Sequence, residues 1–155
     1  MGEKEDLIYL KKHYLEILNQ NDEDFLLSEN MKQIDKDLTR TYPTINLFKT
    51  DEGKIELMNV LKAFSKYDRH NSKFKLNEEY VQGMNFIVGS FLYHADEYIV
   101  FWLIVELLEN FDMRFIYCEG MFNLIKGFPG LKHHSKIIND IFQKFNQKLS
   151  VDSII

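Results

Sequence analysis

Apolar residues recur at helical spacing along most of this chain. Leu7, Leu10, Tyr14, Ile17 and Leu18 fall on one side of a helix and leave Glu5, Lys12, Glu16 and Gln20 on the wetter side. The polar stretch 19–24 ends that helix. Ser28 or Asn30 is placed to cap the next one, whose inner positions are Met31, Ile34 and Leu38. Pro43 restricts Tyr42 to extended backbone, so this helix is expected to stop around residues 40–42. Gly53 marks a break, and Ile55, Met58, Leu61 and Phe64 then form a third stripe. Residues 68–77 are polar with little periodicity and read as a surface loop. Asn77 with Glu78 and Glu79 reads as a cap and an acidic first turn, opening a helix that carries Tyr80, Met84, Ile87, Val88 and Phe91.

Asp96 opens a further helix with Val100, Phe101, Ile104, Leu107 and Leu108 inward. Its other positions, among them Ile99, Trp102, Leu103 and Val105, are also apolar. A helix apolar nearly all round is buried on most sides, which makes this one the expected centre of the fold. Two more helices are predicted at 119–128 and 134–149, the second with Ile137, Ile138, Ile141, Phe142, Phe145 and Leu149 on one side. No strand-like alternation of useful length competes. The expected fold is all-α, an irregular multi-helix array, with residues 1–155 forming a single helical domain or a fragment of one.

Charge and composition remove several function classes. The formal net charge is −5, whereas nucleic-acid binders concentrate positive charge. Lys132, His133, His134 and Lys136 are the best candidates for a local basic face, so no nucleic-acid partner is expected. Cys118 is the single cysteine, which rules out a disulfide within the chain and suits a reducing compartment. Adjacent His133 and His134 would point about 100° apart on a helix and make a poor metal pair. The longest apolar run, Tyr98 to Val105, is far short of the roughly 17–25 residues that span a bilayer, so no transmembrane segment is expected. The opening residues MGEKEDL are acidic and polar, unlike a signal peptide, and Asp6 stands where a myristoylation motif carries Ser or Thr. The default location is cytoplasmic. HExxH, GxxxxGK[ST] and GxGxxG are all missing from the sequence. The chain therefore has no self-contained catalytic or cofactor site in sequence, and binding to another protein is the expected mode of action.

Two short clusters rise above this background. In the first, Ile34-Asp35-Lys36-Asp37-Leu38-Thr39-Arg40-Thr41-Tyr42-Pro43, Asp37 and Arg40 are three residues apart and share a helical face. The plain interpretation is a surface ion pair at a helix stop, worth about 0.2–1 kcal/mol. The second is Tyr80-Val81-Gln82-Gly83-Met84-Asn85. Gly83 interrupts a helical pattern at a cost of about 1 kcal/mol relative to alanine, which suggests close approach by a neighbouring group. Gln82 and Asn85 share a face beside it, and ordinary helix packing is the plain alternative.

Together the clusters resemble the paired motifs of the TBC domain, the GTPase-activating domain for Rab-type small GTPases. Ile34, Asp37 and Arg40 match its IxxDxxR, and Thr41, Tyr42 and Pro43 its T-(F/Y)-P turn. Tyr80, Gln82, Gly83 and Met84 match its YxQGM, with Asn85-Phe86-Ile87 following as in the family. Asp96-Glu97, Phe101-Trp102 and Leu107-Leu108-Glu109 agree further along. The resemblance runs from about Tyr14 to the C-terminus and corresponds to the N-terminal to central portion of such a domain. The family's opening segment is not visible, and its later half is expected beyond Ile155. A cut edge would leave residues 98–108 partly uncovered and favour self-association.

The resemblance implies that Arg40 and Gln82 are inserted into a GTP-bound Rab-type GTPase. Arg40 would stabilise developing charge and Gln82 would orient the attacking water. It implies supporting roles for Asp37, which would hold the Arg40 fork, for Gly83, which would allow close approach, and for Tyr80, which would pack or orient. GTP and Mg2+ would be carried by the partner, with no cofactor in this chain, and recruitment to endomembranes would follow the partner. A helical domain that binds a small GTPase or another protein without stimulating hydrolysis is the open alternative.

Overall fold

The computed structural model describes residues 3–71, 79–111, 113–117, 135–141 and 143. The chain divides into two compact units, Met1–Phe111 and Asp112–Ile155. Its described elements are helices, turns and bends with no strand, so the fold is all-α.

In the first unit, α1 spans Glu3–Leu18, α2 Glu23–Leu26, α3 Glu29–Arg40, α4 Asn46–Lys49, α5 Asp51–Asn71, α6 Met84–Leu92 and α7 Glu97–Asn110. Helix α5 is the hub, with α1, α3, α4, α6 and α7 all packed against it. Its Leu57, Val60, Leu61 and Phe64 are buried together with Tyr14, Val88, Val100 and Phe101. Burying each such aliphatic or aromatic side chain stabilises the fold by about 1.5–3 kcal/mol. The stripe expected on this helix is displaced, since Ile55 is half exposed. A spacing of three residues advances only 300°, so four such positions drift across half the helix and cannot all face inward. Gly53 is no break. It lies in the first turn of α5, where a Cβ would sit 2.0 Å from the Leu47 carbonyl oxygen. Thr50 caps this turn, its Oγ1 accepting from the Gly53 amide at 3.1 Å and donating to Leu47 O at 2.8 Å.

Helix α7 is apolar nearly all round because it packs on α1, α5 and α6. Val100, Phe101, Ile104, Val105 and Leu108 are buried, whereas Leu107 is only partly so. The Trp102 indole N–H donates to Leu10 O at 2.9 Å and ties α7 to α1. The end of α1 is closed by a cation. Lys66 Nζ donates to Leu18 O at 2.8 Å and Gln20 O at 2.6 Å, a favourable place for positive charge at a helix C-terminus. Burial, aided by nearby Lys62, lowers the pKa of this amine.

Two sequence expectations shift here. The expected loop at 68–77 is helical through Asn71, and Asp68 is buried. Asn77 and Glu78 lie outside the described residues, while Glu79 and Tyr80 are non-helical and α6 begins only at Met84.

The second unit contains α8, Arg114–Tyr117. Residues 135–141 there are also helical, with Ile137, Ile138 and Ile141 exposed. The helix expected at 119–128, Cys118 and the basic cluster at Lys132, His133 and His134 lie outside the described residues. No helix among the described residues is long and apolar enough to cross a membrane.

Candidate functional site

Helix α3 carries Arg40 in its last turn. Ser28 caps it, its Oγ accepting from the Met31 amide at 3.3 Å and donating to Phe25 O at 2.6 Å. Ile34 is fully buried and fixes which face turns inward. Arg40 occupies the last turn, where a cation suits the helix dipole. The helix stops at Arg40 as expected, but Tyr42 is not extended. Its φ of 43° is in the left-handed region. Side-chain contacts hold it there: the ring packs against Phe48 and edge-on against Phe86, and the hydroxyl donates to Phe86 O at 3.0 Å. Strained backbone of this kind persists only where surrounding contacts over-determine it.

Asp37, one turn before Arg40, is completely buried. Its Oδ1 accepts from Gln33 Nε2 at 2.8 Å and meets Arg40 Nη2 at 2.5 Å. Its Oδ2 accepts from the Tyr80 hydroxyl at 2.6 Å. The Asp–Arg pair therefore differs from the surface pair that spacing suggested, because its carboxylate end is sealed while the Arg40 side chain is 44% exposed. Three donors on a buried carboxylate satisfy the requirement that buried charge be paired and hydrogen-bonded.

The second cluster reaches the same carboxylate from the other side. Gly83 adopts φ 104° and forms the N-cap of α6. A Cβ there would meet nothing within 4 Å. Glycine is required for left-handed backbone, not for the close approach inferred from sequence. The Gly83 amide donates to Asn85 Oδ1 at 3.1 Å, and Asn85 Nδ2 donates to Thr41 Oγ1 at 2.8 Å. Thr41 Oγ1 in turn donates to Asp37 O at 2.6 Å. Asn85 and Thr41 thus join the two motifs across more than forty residues. Both lie within the two sequence clusters, but only their mutual bond gives them a role, and spacing carries no signal of it.

Gln82 is exposed and meets Arg40. The amide orientation that gives each atom a complementary partner turns Oε1 toward the guanidinium, accepting from Nη2 at 2.8 Å and Nη1 at 3.3 Å. Arg40 is held between Asp37 below and Gln82 beside it, with its fork at the surface. An open cleft of about 460 Å³ lies beside Gln82, lined also by Gln33 and Lys36 of α3 and by Tyr80. Among the described residues no cluster of His, Cys, Asp and Glu is arranged to hold a metal ion.

Burial, then the hydrogen bond to Asp37 and its charge, raise the Tyr80 pKa far above its ordinary 10.0. Burial and the Glu97 carboxylate do the same for Tyr14. Tyrosines in the unfolded chain lose protons from about pH 10 while these two keep theirs, so the unfolded state then binds fewer protons. Stability is expected to fall as pH rises above about 10, by roughly 1.4 kcal/mol per pH unit for each tyrosine. Urea unfolding between about pH 9 and 11 should show this fall, and Tyr80→Phe should make it shallower by up to about 1.4 kcal/mol per pH unit. A slope untouched by that substitution would mean that Tyr80 does not hold its proton.

Fold and site together define a helical module that presents a preorganised arginine–glutamine pair on its surface, braced from below by one buried carboxylate. The family model described as the Rab-GTPase-TBC domain matches residues 3–151, and the chain belongs to that family. It is 38% identical over 94 residues to the Rab GTPase-activating protein eat-17 of Caenorhabditis elegans, covering 60% of this chain and 10% of that protein. It is 33% identical over 116 residues to the ecotropic viral integration site 5 ortholog of Drosophila melanogaster, covering 74% of this chain and 13% of the relative. The ecotropic viral integration site 5 protein homolog of Homo sapiens is 33% identical over 117 residues, with the same two coverages. The chain thus spans about a tenth of the length of these curated relatives. No solved structure gives a significant match.

Proposed function

We propose that this chain accelerates GTP hydrolysis by a Rab-type small GTPase, inserting Arg40 and Gln82 into the partner's GTP-bound nucleotide site. The observation that carries this reading is the Arg40–Gln82 contact, with both side chains at the surface and Arg40 anchored by buried Asp37. As the γ-phosphoryl group is transferred, negative charge develops on its oxygens and on the leaving oxygen. The Arg40 guanidinium supplies permanent positive charge and a fixed fork of N–H donors to that charge. Gln82 can both donate and accept, which suits orienting the attacking water. In the free chain the two side chains bond to each other, so they reach the nucleotide already close together and lose little freedom on docking. GTP and Mg2+ come with the partner, and this chain would reach endomembranes through it. Relatives named as Rab GTPase-activating proteins support the choice of partner class.

Single-turnover hydrolysis across a panel of GTP-loaded Rab-type GTPases tests the proposal. Added chain is expected to speed phosphate release from at least one member in proportion to its concentration. Binding to a GTP-loaded member with no acceleration on any would overturn the proposal in favour of a silent binding domain.

A further inference from the structure

Arg69, in the last turn of α5, faces two carboxylates from distant parts of the chain. Its Nε donates to Glu79 Oε1 at 2.6 Å and its Nη2 to Glu79 Oε2 at 2.9 Å, a two-point fork. Its Nη1 donates to Asp22 Oδ1 and Oδ2 at 3.2 and 3.1 Å. Asp22 is the N-cap of α2, where Oδ1 also accepts from the Phe25 amide at 2.8 Å. Asn30, in the first turn of α3, donates from Nδ2 to Glu79 Oε2 at 3.1 Å. The guanidinium also lies over the Phe25 ring. The side chains of Arg69, Asp22 and Glu79 are 26%, 12% and 22% exposed, so the clasp is partly sheltered from water.

Glu79 immediately precedes Tyr80, and three residues later stands Gln82. The segment between is non-helical, so its course depends on its anchors. Tyr80 is held at one end by Asp37, and Gly83 at the other by Asn85. Glu79 is the anchor at the entry, and a fork to a carboxylate sets its orientation as well as its position.

We propose that Arg69 is a positioning residue for Gln82, clamping Glu79 so that the non-helical segment 80–83 enters at the angle that places Gln82 against Arg40. The role rests on the reading of Gln82 given above. An isolated, partly exposed ion pair contributes little to stability. What this one adds is direction, because three elements converge on a single planar group.

The test combines stimulated hydrolysis with amide hydrogen exchange on the full chain. Arg69→Ala is expected to lower the stimulated rate about 10-fold, since misplacing a reacting group by even 1 Å costs up to about 100-fold. The same substitution should add no loss in a Gln82→Ala background. Arg69→Lys keeps the charge but not the fork, and is expected to recover only part of the rate. In the free chain, Arg69→Ala and Arg69→Lys should both speed exchange at the Val81 and Gly83 amides, which are bonded to Met84 Sδ and Asn85 Oδ1. An equal loss with and without Gln82, or an unchanged rate, would overturn the proposal. If the unmodified chain stimulates no GTPase, it is the reading of Gln82 that fails. Exchange then decides the clasp alone, and unchanged protection at 81–83 in both Arg69 variants overturns it.

Discussion

Arg40→Ala is expected to remove about 10³–10⁵-fold of stimulated GTP hydrolysis, the range an arginine supplied in trans contributes. That is about 4–7 kcal/mol of transition-state stabilisation at roughly 1.36 kcal/mol per tenfold. The folded state should lose much less. Its cost nonetheless exceeds the small value of a fully exposed pair, because among the described residues buried Asp37 then keeps only the neutral donors of Gln33 and Tyr80. A loss of about 1.5–3 kcal/mol is expected, the range for a hydrogen bond to a charged group. Arg40→Lys separates the two effects. A lysine keeps a positive end near Asp37 but lacks the planar fork, so stability should largely return while most of the activity stays lost. Single-turnover hydrolysis and urea unfolding of the two variants decide the matter. Stimulation retained by Arg40→Ala would remove Arg40 from the chemistry.

Asp37→Ala is expected to damage both folding and activity. The substitution strips the Tyr80 hydroxyl of its 2.6 Å acceptor and leaves it a 3.3 Å contact with Asn85 in a buried site. An unsatisfied buried donor costs about 1–3 kcal/mol, and loss of the charged bonds adds to it. A total of about 2–4 kcal/mol is expected, at the upper end for a single substitution. Activity should fall about 100-fold even where the chain stays folded, because Arg40 loses the support that aims it. Asp37→Asn, close in shape, should keep more of the stability but hold the guanidinium without a charge. Denaturant midpoints measured beside hydrolysis rates would show both losses. Full stimulation by folded Asp37→Ala would show that Arg40 is aimed by something else.

Local signals were legible in the sequence wherever structure follows from near neighbours. Ser28 caps α3, the helix stops ahead of Pro43, and Val100, Phe101, Ile104 and Leu108 face inward because each feature depends on residues within a turn or two. Ile55 was misplaced because a three-residue spacing drifts around a helix. The helical pattern around Gly83 is continuous and places it in a helix interior, and only its φ reveals the cap. The motifs marked Arg40 and Gln82, but no pattern along the chain shows that Asp37, Thr41, Tyr80 and Asn85 form one buried network. The Arg69 clasp was hidden for the same reason, since its partners lie 10 and 47 positions away. Periodicity reports which residues share a face, and it is silent about which faces meet.

The chain's lone tryptophan turns one of these seams into an optical gauge. Trp102 bonds to Leu10 and has the His13 ring stacked 6.0 Å away. Its emission therefore senses whether the first helix is seated, while ultraviolet dichroism averages over every helix at once. Recording both signals through one denaturation would separate a frayed leading segment from cooperative collapse, with no dye or label attached.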